Sequence, residues 1–169
     1  LWTARVLADH FEQVLVLERD HLPDGAEARP GAPQSRQYHI LLRRGLQLLN
    51  ELFPGMEEEL IAAGAVPFDA TWDVKVRTRG RWLPQFKSGQ WLVSCSRLLL
   101  EATMRRRLRK HARIRFVEGV EVVGLEADEQ RLRVSGVHFR RRQAQENEAA
   151  TIESLAADLV VDALGRRSP

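Results

Sequence analysis

The chain has 169 residues, about the length of one domain and enough to bury a core of its own. Hydrophobic residues make up 44% and charged residues 29%, so the composition excludes an intrinsically disordered chain. The formal net charge is only +3, from 26 basic and 23 acidic residues, and so weak a surplus does not predict a nucleic-acid partner.

The chain opens with a helix pattern followed by an apolar run. In LWTARVLADHF, apolar residues recur at helical spacing, which predicts a helix from about Leu1 to Asp9. Because residue 1 is not Met and no N-cap signal precedes the pattern, we expect a fragment whose natural beginning is missing. The run QVLVLERD predicts a strand from Gln13 to Glu18 that is buried on both faces, as in a parallel sheet. Helix and strand form half of a βαβ unit that lacks its first strand.

A loop and two helices come next. The segment from Asp20 to Arg36 holds three prolines and two glycines, which predicts little regular structure. Apolar residues from Ile40 to Phe53 predict one helix, Pro54-Gly55 ends it, and a second helix runs from Met56 to Ala63.

An alternating pattern then replaces the helical one. From Thr71 to Ser94 it predicts a β-meander, in which Trp72 to Val76 form the first strand. The tryptophans Trp72, Trp82 and Trp91 are expected to pack in the core on the sheet face, with a stacking platform as the less favoured alternative. Cys95 is the only cysteine, which excludes an internal disulfide and favours a reducing cytosol.

The last third is predicted to be a helix followed by strands. The helix runs from Arg97 to His111, and strands follow from Ile114 to Leu125 around Gly119, and from Leu132 to Phe139. A further strand closes on a second buried run, ADLVVDALG, after an exposed hairpin connection in RRRQAQENEAA. The arginines of MRRRLRKHARIR predict a solvated helix face, and a phosphate-binding patch is the alternative.

The sequence lacks the patterns typical of membrane spans, leader segments and metal sites. No apolar stretch reaches the roughly 20 residues of a membrane span, and no leader-like segment opens the chain. We therefore expect a cytoplasmic protein without stable membrane insertion. No His/Cys cluster predicts a metal site, and nothing indicates an oligomeric state.

The apolar runs end in acids, which points to a ligand. In an open parallel sheet, ligands bind beyond the carboxyl ends of the strands, and an acid after the second strand holds a ribose hydroxyl. Glu18 is therefore a candidate for an adenosine ribose, with a solvated strand end as the alternative. A glycine-rich turn would be expected immediately before Leu1, where helix N–H groups would face a pyrophosphate.

Five stretches in a fixed order carry a family resemblance: LWTARVLADHFEQVLVLERDHLPDG, RPGAPQSRQYHILLRRGLQLLNELFPGMEEELIAAGA, SCSRLLLEATMRRRL, VEGVEVVGL and ADLVVDALGRRS. Together they cover most of the chain, which resembles the N-terminal part of FAD-dependent oxidoreductases with the para-hydroxybenzoate-hydroxylase-type fold. Within that superfamily it is similar to the 2-polyprenyl-6-methoxyphenol hydroxylase-like branch.

The resemblance implies an α/β fold class. It implies a Rossmann-like FAD-binding domain, incomplete because the first strand and glycine-rich turn are missing, with an inserted antiparallel β segment from a substrate domain. The implied domains are residues 1–65 for the first part of the FAD-binding domain, 66–96 for the β-meander of the substrate domain, and 97–169 for the truncated second part.

The resemblance also implies the FAD-binding residues. Glu18 matches the acid that binds the adenosine ribose, with Arg19 beside it, and Arg97 matches the arginine that approaches the pyrophosphate and ribityl chain, as a guanidinium suits. The backbone of Val122 would lie along the adenine. The last apolar run would pack against the dinucleotide through Asp162, Ala163 and Gly165.

Other implied positions are less specific. Gln34 and Arg36 could line the isoalloxazine pocket. His39, expected on a helix face, is a candidate near the flavin, and a structural histidine is the alternative. The family usually has a small hydroxylated residue in place of Leu164 and a glycine in place of Arg167, so both side chains add bulk along the expected FAD path.

The implied parent function is FAD-dependent oxidation, namely NAD(P)H-driven monooxygenation of an aromatic or isoprenoid-like small molecule. Catalytic residues are unknown, because the flavin carries the difficult chemistry. The alternatives are geranylgeranyl-reductase-like or halogenase-like chemistry, or a non-catalytic fragment that binds no flavin, and the isolated fragment is expected to be inactive.

Overall fold

The structure is a computed structural model that describes residues 1–130, 133–142 and 151–165, without the side chains of Pro33 and Arg36. The described residues form two compact units. The first comprises Leu1–Val14 and Pro23–Ile114, and the second comprises Leu15–Leu22 and the described residues from Arg115 onward.

The helices and strands of the described residues are, in chain order, α1 (Trp2–Leu7), β1 (Val14–Glu18), β2 (Tyr38–Leu41), α2 (Arg43–Leu52), α3 (Met56–Ala62), β3 (Val66–Asp69), β4 (Arg77–Thr78), β5 (Arg81–Trp82), β6 (Trp91–Ser96), α4 (Arg97–Arg109), β7 (Ile114–Glu118), β8 (Val120–Ala127), β9 (Val134–Arg141) and β10 (Ile152–Ala156). The predicted helices at residues 1–9, 56–63 and 97–111 are confirmed as α1, α3 and α4, each slightly shorter than expected.

The first unit packs helices on an antiparallel sheet with strand order β2-β6-β3. Both α2 and α4 contact β6, and α3 contacts both helices. The fully buried apolar side chains of this core are Leu49, Met56, Leu60, Val93 and Leu108. Burying these apolar groups is the main stabilising contribution, on the order of 2 kcal/mol for each side chain.

Strand β2 was not predicted, because its residues belong to an apolar run that reads as the start of a helix. Instead, Tyr38–Leu41 pairs antiparallel with β6, and the helix begins only at Arg43. Hydrogen-bond partners on β6 thus override a local helical pattern. His39 consequently lies on a strand, and its expected placement on a helix face is wrong.

The predicted meander is also wrong in its first part. Residues Trp72 to Val76 form no strand, and the chain between β3 and β6 contains only the two-residue strands β4 and β5. The tryptophans do not pack in a core, since Trp72, Trp82 and Trp91 are 47%, 64% and 56% exposed. Alternation in the sequence does not reveal whether another layer covers the face concerned.

The second unit contains two small sheets. Strand β1 forms a sheet with β7, and β8, β9 and β10 form an antiparallel sheet in the order β10-β9-β8. The strand at residues 13–18 and the strands around Gly119 are confirmed, and β9 lies where residues 132–139 were predicted to be extended. The expected burial of β1 on both faces is wrong: Val14 is buried, but residues 15–18 are only half-buried.

The second buried run is a further correction. Strand β10 ends at Ala156, the segment 158–164 forms no strand, and Leu159, Val161 and Leu164 are about half exposed. An apolar run becomes a strand only where a neighbour supplies hydrogen-bond partners, and β10 pairs with β9 upstream of this segment. The predicted hairpin connection lies outside the described residues at positions 143–150.

The prediction of a solvated arginine face on α4 is only partly right: Arg106 and Arg109 are exposed, but Arg105 is not. Arg105 is 3% exposed and donates to Glu101 and to the carbonyls of Pro23 and Gly25, over 3.0, 2.6 and 3.0 Å. Arg109 pairs with the Asp24 carboxylate at 2.8 Å. This side of α4 therefore fastens the long loop after β1 to the helix.

The neighbouring arginines of α4 hold the helix against α3. Arg106 and Arg107 both donate to the carboxylate of Glu59, and Arg107 also donates to the carbonyl of Pro54. Burial alone would raise the pKa of Glu59, but these hydrogen bonds and the two positive charges lower it below its ordinary value. The arginines on this side of α4 therefore form ion pairs and hydrogen bonds with α3 while Arg106 stays exposed to solvent.

Within the described part of the chain, no helix has the length and apolar character needed to cross a bilayer.

Candidate functional site

The turn after β1 places the candidate ribose-binding acid in a defined orientation. Glu18 is half-buried, and its Oε1 accepts a hydrogen bond from the N–H of Asp20 at 3.0 Å. At the end of the partner strand β7, Oε2 of Glu118 accepts a hydrogen bond from the N–H of Leu22 at 2.8 Å. The two strand ends therefore hold one turn, residues 18–22, through two carboxylates.

A glycine closes the same turn from the other side. Gly119 is buried between β7 and β8 and has φ +68°, a conformation that glycine adopts without strain. A Cβ at this position would lie 2.9 Å from Cε1 of His21. The imidazole of His21 thus packs directly on the glycine, and a larger residue there would displace it.

Arg19 lies close to the beginning of β8. The pKa of Glu121 is lowered chiefly by its hydrogen bonds from Arg140 at 2.7 and 2.9 Å, against an opposing effect of burial, and the charge of Arg19 lowers it further. Val122 follows Glu121 on this strand, is half-buried and pairs with Phe139. The structure therefore brings Glu18, Arg19 and the strand of Val122 into one part of the second unit.

Arg97 is the first residue of α4 and is exposed. The preceding residue, Ser96, caps the helix, because its Oγ accepts a hydrogen bond from the N–H of Leu99 at 3.1 Å. The backbone N–H of Arg97 donates to the carbonyl of Gln37 at 3.5 Å. The guanidinium therefore stands beside a helix N-terminus, where both the helix dipole and its own charge favour an anion.

His39 is an electrostatic neighbour of Arg97. Burial lowers the pKa of His39 below its ordinary value, and the charge of Arg97 lowers it further, so the imidazole is neutral at neutral pH. His39 lies opposite Cys95 on the neighbouring strand. Burial raises the pKa of the Cys95 thiol, which keeps it protonated and unreactive at neutral pH.

The loop candidates are only partly described. Gln34 is exposed in a short 3-10 turn, residues 33–36, and its carbonyl accepts a hydrogen bond from the N–H of Gln37 at 3.1 Å. The side chain of Arg36 lies outside the described residues.

The segment after β10 forms a turn rather than a strand end. Oδ1 of Asp162 accepts a hydrogen bond from the N–H of Leu164 at 2.8 Å, Ala163 is exposed, and Gly165 is exposed with φ +72°. Leu164 is also about half exposed. Arg167 lies outside the described residues.

The predicted residues fall into two groups. Gln34, His39 and Arg97 lie in the first unit, and the second unit contains Glu18, Arg19, Val122, Asp162, Ala163 and Gly165. Sequence reasoning missed Glu118 and His21. The sequence did carry a signal for Glu118: like Glu18, it is a glutamate that directly follows the apolar residues of a strand.

A recess of about 470 Å³ in the first unit contains none of the predicted residues. Leu52, Phe53 and Leu108 contribute apolar walls, and Arg106 and Arg107 lie at its edge, where Glu59 already pairs with both. Its arginines therefore have structural partners.

Comparisons with known proteins show the fold. No family model matches the chain. The chain is 33% identical over 170 residues to Protein Rv3254 of Mycobacterium tuberculosis, covering 98% of this chain and 35% of that protein. It therefore spans about a third of the length of the curated relative.

Two solved structures are similar at low sequence identity. PqsL, described as a probable FAD-dependent monooxygenase from Pseudomonas aeruginosa, matches with a TM-score of 0.61 and 13% identity, over 82% of this chain and 34% of that chain. The flavin-dependent monooxygenase PieE, in complex with FAD and substrate, matches with a TM-score of 0.59 and 18% identity, over 93% of this chain and 27% of that chain. The chain thus has a mixed α/β fold that it shares with about a third of each of these flavin-dependent monooxygenases.

Proposed function

We propose that this chain contributes part of the FAD-binding domain and a β segment of the substrate domain to an FAD-dependent oxidoreductase. The whole protein would be an NAD(P)H-driven monooxygenase that acts on an aromatic or isoprenoid-like small molecule. The observation that carries the proposal is the fold match to PqsL and PieE over 82% and 93% of the chain. The resemblance to the 2-polyprenyl-6-methoxyphenol hydroxylase-like branch supports the substrate class. One fold hosts many functions, so the individual residues must also suit FAD.

Glu18 suits a ribose. Its carboxylate ends a strand and is oriented by the N–H of Asp20, and a carboxylate can accept hydrogen bonds from two adjacent hydroxyls while keeping that contact. Arg19 stands next to it with a charge that also acts on Glu121. The backbone of Val122, on the strand that begins beside this turn, would lie along the adenine.

Arg97 suits the pyrophosphate and ribityl chain. It is an exposed guanidinium at a capped helix N-terminus, where charge, backbone N–H groups and helix dipole all favour an anion. Arg36 and Gln34 would lie nearer the isoalloxazine, and Asp162, Ala163 and Gly165 would contact the dinucleotide from the segment after β10.

These roles assign each part of the chain to one of the two domains. Residues 1–65 and 97–169 would form the FAD-binding domain, and residues 66–96 would belong to the substrate domain. Bound FAD supplies electron transfer and oxygen activation. The chain's own residues bind and orient it, and His39, neutral beside Arg97, adds no second positive charge there at neutral pH.

The test is to titrate the purified chain with FAD and to measure binding by the quenching of flavin fluorescence. Glu18→Gln keeps an acceptor for the N–H of Asp20 but loses the charge, so FAD binding should weaken by about 1 to 3 kcal/mol. The matched control is Glu12→Gln, at an exposed acid six positions earlier, which should leave binding unchanged. Absence of saturable binding by the unmodified chain would support the flavin-free alternative, and equal effects of both variants would remove Glu18 from the site.

A further inference from the structure

Residues 70–90 leave the sheet of the first unit after β3 and return to it at β6. We call this segment the 70–90 hairpin. Its arms are joined by hydrogen bonds from the N–H of Phe86 to the carbonyl of Thr71 and from the N–H of Leu83 to the carbonyl of Val76, at 3.1 and 2.9 Å. Its tip is the short β4-β5 ladder, where Arg79-Gly80 make the turn with φ values of 47° and 77°.

A buried carboxylate fixes the base of the hairpin. Asp69 is 4% exposed and accepts hydrogen bonds from the N–H and hydroxyl of Thr71, the N–H and hydroxyl of Ser88, and the N–H of Gly89, all within 2.8 to 3.0 Å. Both arms are thus tied to one side chain. The surface that the hairpin displays is therefore anchored where it joins the sheet.

The surface of the hairpin is aromatic and apolar. The large apolar side chains exposed on it or at its base are Trp72, Val74, Val76, Trp82, Leu83, Phe86 and Trp91. Seven large apolar side chains exposed within or beside one short segment indicate an interaction site.

The same surface is strongly basic. The hairpin contains five Lys and Arg residues against one Asp, a net charge of +4, whereas the whole chain carries +3. The rest of the chain is therefore slightly acidic, so the basic surplus of the whole chain comes from the 70–90 hairpin. The cations at Lys75, Arg77, Arg79 and Arg81 alternate with other residues at a spacing of two.

Two cations of the hairpin lie over aromatic rings at cation–π distances. The guanidinium of Arg77 lies 5.9 Å from the ring centroid of Trp82, and the ammonium of Lys87 lies 5.2 Å from that of Trp72. A recess of about 320 Å³ lies beside Lys75 and Trp82. Charge and aromatic surface are therefore interleaved rather than separated.

The net charge of the hairpin favours an anionic occupant, and its exposed aromatic side chains favour one that also offers apolar groups. An anionic lipid surface combines both. At a membrane interface, tryptophan rings lie at headgroup depth, and long basic side chains reach the lipid phosphates while their methylenes contact apolar groups.

We propose that the 70–90 hairpin docks this protein peripherally on an anionic membrane surface. Trp72, Trp82 and Phe86 lie at headgroup level, and the cations of the hairpin contact lipid phosphates. The attraction arises from charge and aromatic burial together, as for other interfacial segments.

The experiment is co-sedimentation of the full chain with vesicles of phosphatidylcholine alone or containing 30% phosphatidylglycerol. The chain should bind the anionic vesicles preferentially, and added salt should weaken binding because it shortens the screening length. Arg79→Gln with Arg81→Gln should weaken binding roughly 30-fold, from about 1 kcal/mol for each cation near an anionic surface. The matched control, Arg43→Gln with Lys110→Gln, removes two exposed cations elsewhere and should change binding less than about 3-fold.

A third variant tests the aromatic part. Trp82→Ala removes a side chain that is 64% exposed, so folding is preserved, and it should weaken binding at high salt as well as at low salt. Equal binding to both vesicle types, or equal effects of the two double variants, would overturn the proposal. The proposal would also be overturned if the chain bound no vesicles and gel filtration showed a dimer that Trp82→Ala dissociates. The surface would then join two copies of the chain.

Discussion

Replacing Arg105 should reveal how strongly α4 holds the loop after β1. Arg105 is 3% exposed, and its guanidinium makes three hydrogen bonds, to Glu101 and to the carbonyls of Pro23 and Gly25. Arg105→Ala removes all three and leaves a cavity where the side chain was. Each of the three acceptors then loses a charge-assisted hydrogen bond.

The magnitude follows from the remaining partners. Breaking a buried ion pair by removing one member costs about 3 to 5 kcal/mol. Glu101 retains Arg29, whose Nε and Nη2 lie 3.2 and 3.1 Å from the same carboxylate oxygen, and Gly25 is exposed to water. We therefore expect the free energy of unfolding to fall by about 3 kcal/mol, at the lower end of that range.

The matched control is the next residue of the helix. Arg106 has a side chain that is 51% exposed, and its partner Glu59 keeps a second arginine, Arg107, when Arg106 is truncated. Solvent screening limits such a pair, so Arg106→Ala should cost at most about 1 kcal/mol. The two variants remove the same chemical group, so their difference isolates burial and loop attachment.

Urea unfolding followed by tryptophan fluorescence measures both variants. With a slope of about 2 kcal/mol per M, the midpoint should fall by about 1.5 M for Arg105→Ala and by at most about 0.5 M for Arg106→Ala. Limited proteolysis should also cut within residues 23–29 sooner in Arg105→Ala, because the loop has lost its attachment. Equal midpoints for the two variants would show that the buried guanidinium does not hold the loop.

Two further outcomes follow from the geometry. Gly119→Ala should lower the free energy of unfolding, measured in urea, by about 1 to 2 kcal/mol, because alanine is strained at φ +68° and its Cβ would strike His21. Adding His21→Ala should recover only the steric part of this loss. An unchanged free energy of unfolding in Gly119→Ala would contradict the close packing. For Asp69, burial alone would raise the pKa, but hydrogen bonds from Ser88, Thr71 and Gly89 outweigh it and hold the pKa far below the ordinary value of 3.8. The stabilisation by the ionised carboxylate is therefore present above pH 3.8 and lost as the pH falls below it. Asp69→Asn should be less stable than the unmodified chain at pH 6, and the difference in their free energies of unfolding should narrow on acidification. A difference that stays constant with pH would refute the lowered pKa of Asp69.

Local patterns predicted those elements whose signals lie within a few residues. The α4 helix was predictable because Ser96 caps it and apolar residues recur at helical spacing behind it. The strand ending at Glu18 was predictable from an apolar run that stops in charged residues. Strand β2 was not, because its four residues precede a helix in the same apolar run and become a strand only by pairing with β6.

The candidate site was partly visible for the same reason. Glu18 and Arg97 stand at the ends of regular elements, where sequence signals are strongest. The run before Asp162 gave the same signal but forms no strand, since its apolar residues have no pairing strand in the described part of the chain. Whether the tryptophans of residues 70–90 are buried depended on what covers them, which no spacing encodes.

The sequence by itself determined the class of chain, the order of most helices and strands, and the charged residues at their ends, because helical and extended periodicity and capping depend on neighbours in the chain. Only the tertiary structure decided that Glu118 holds the turn of Glu18, with a hydrogen bond to Leu22 across 96 positions, and that Arg105 is a buried clamp rather than a solvated cation. Such contacts join groups far apart in sequence, and their partners, burial and pKa values exist only once the chain has brought those groups together.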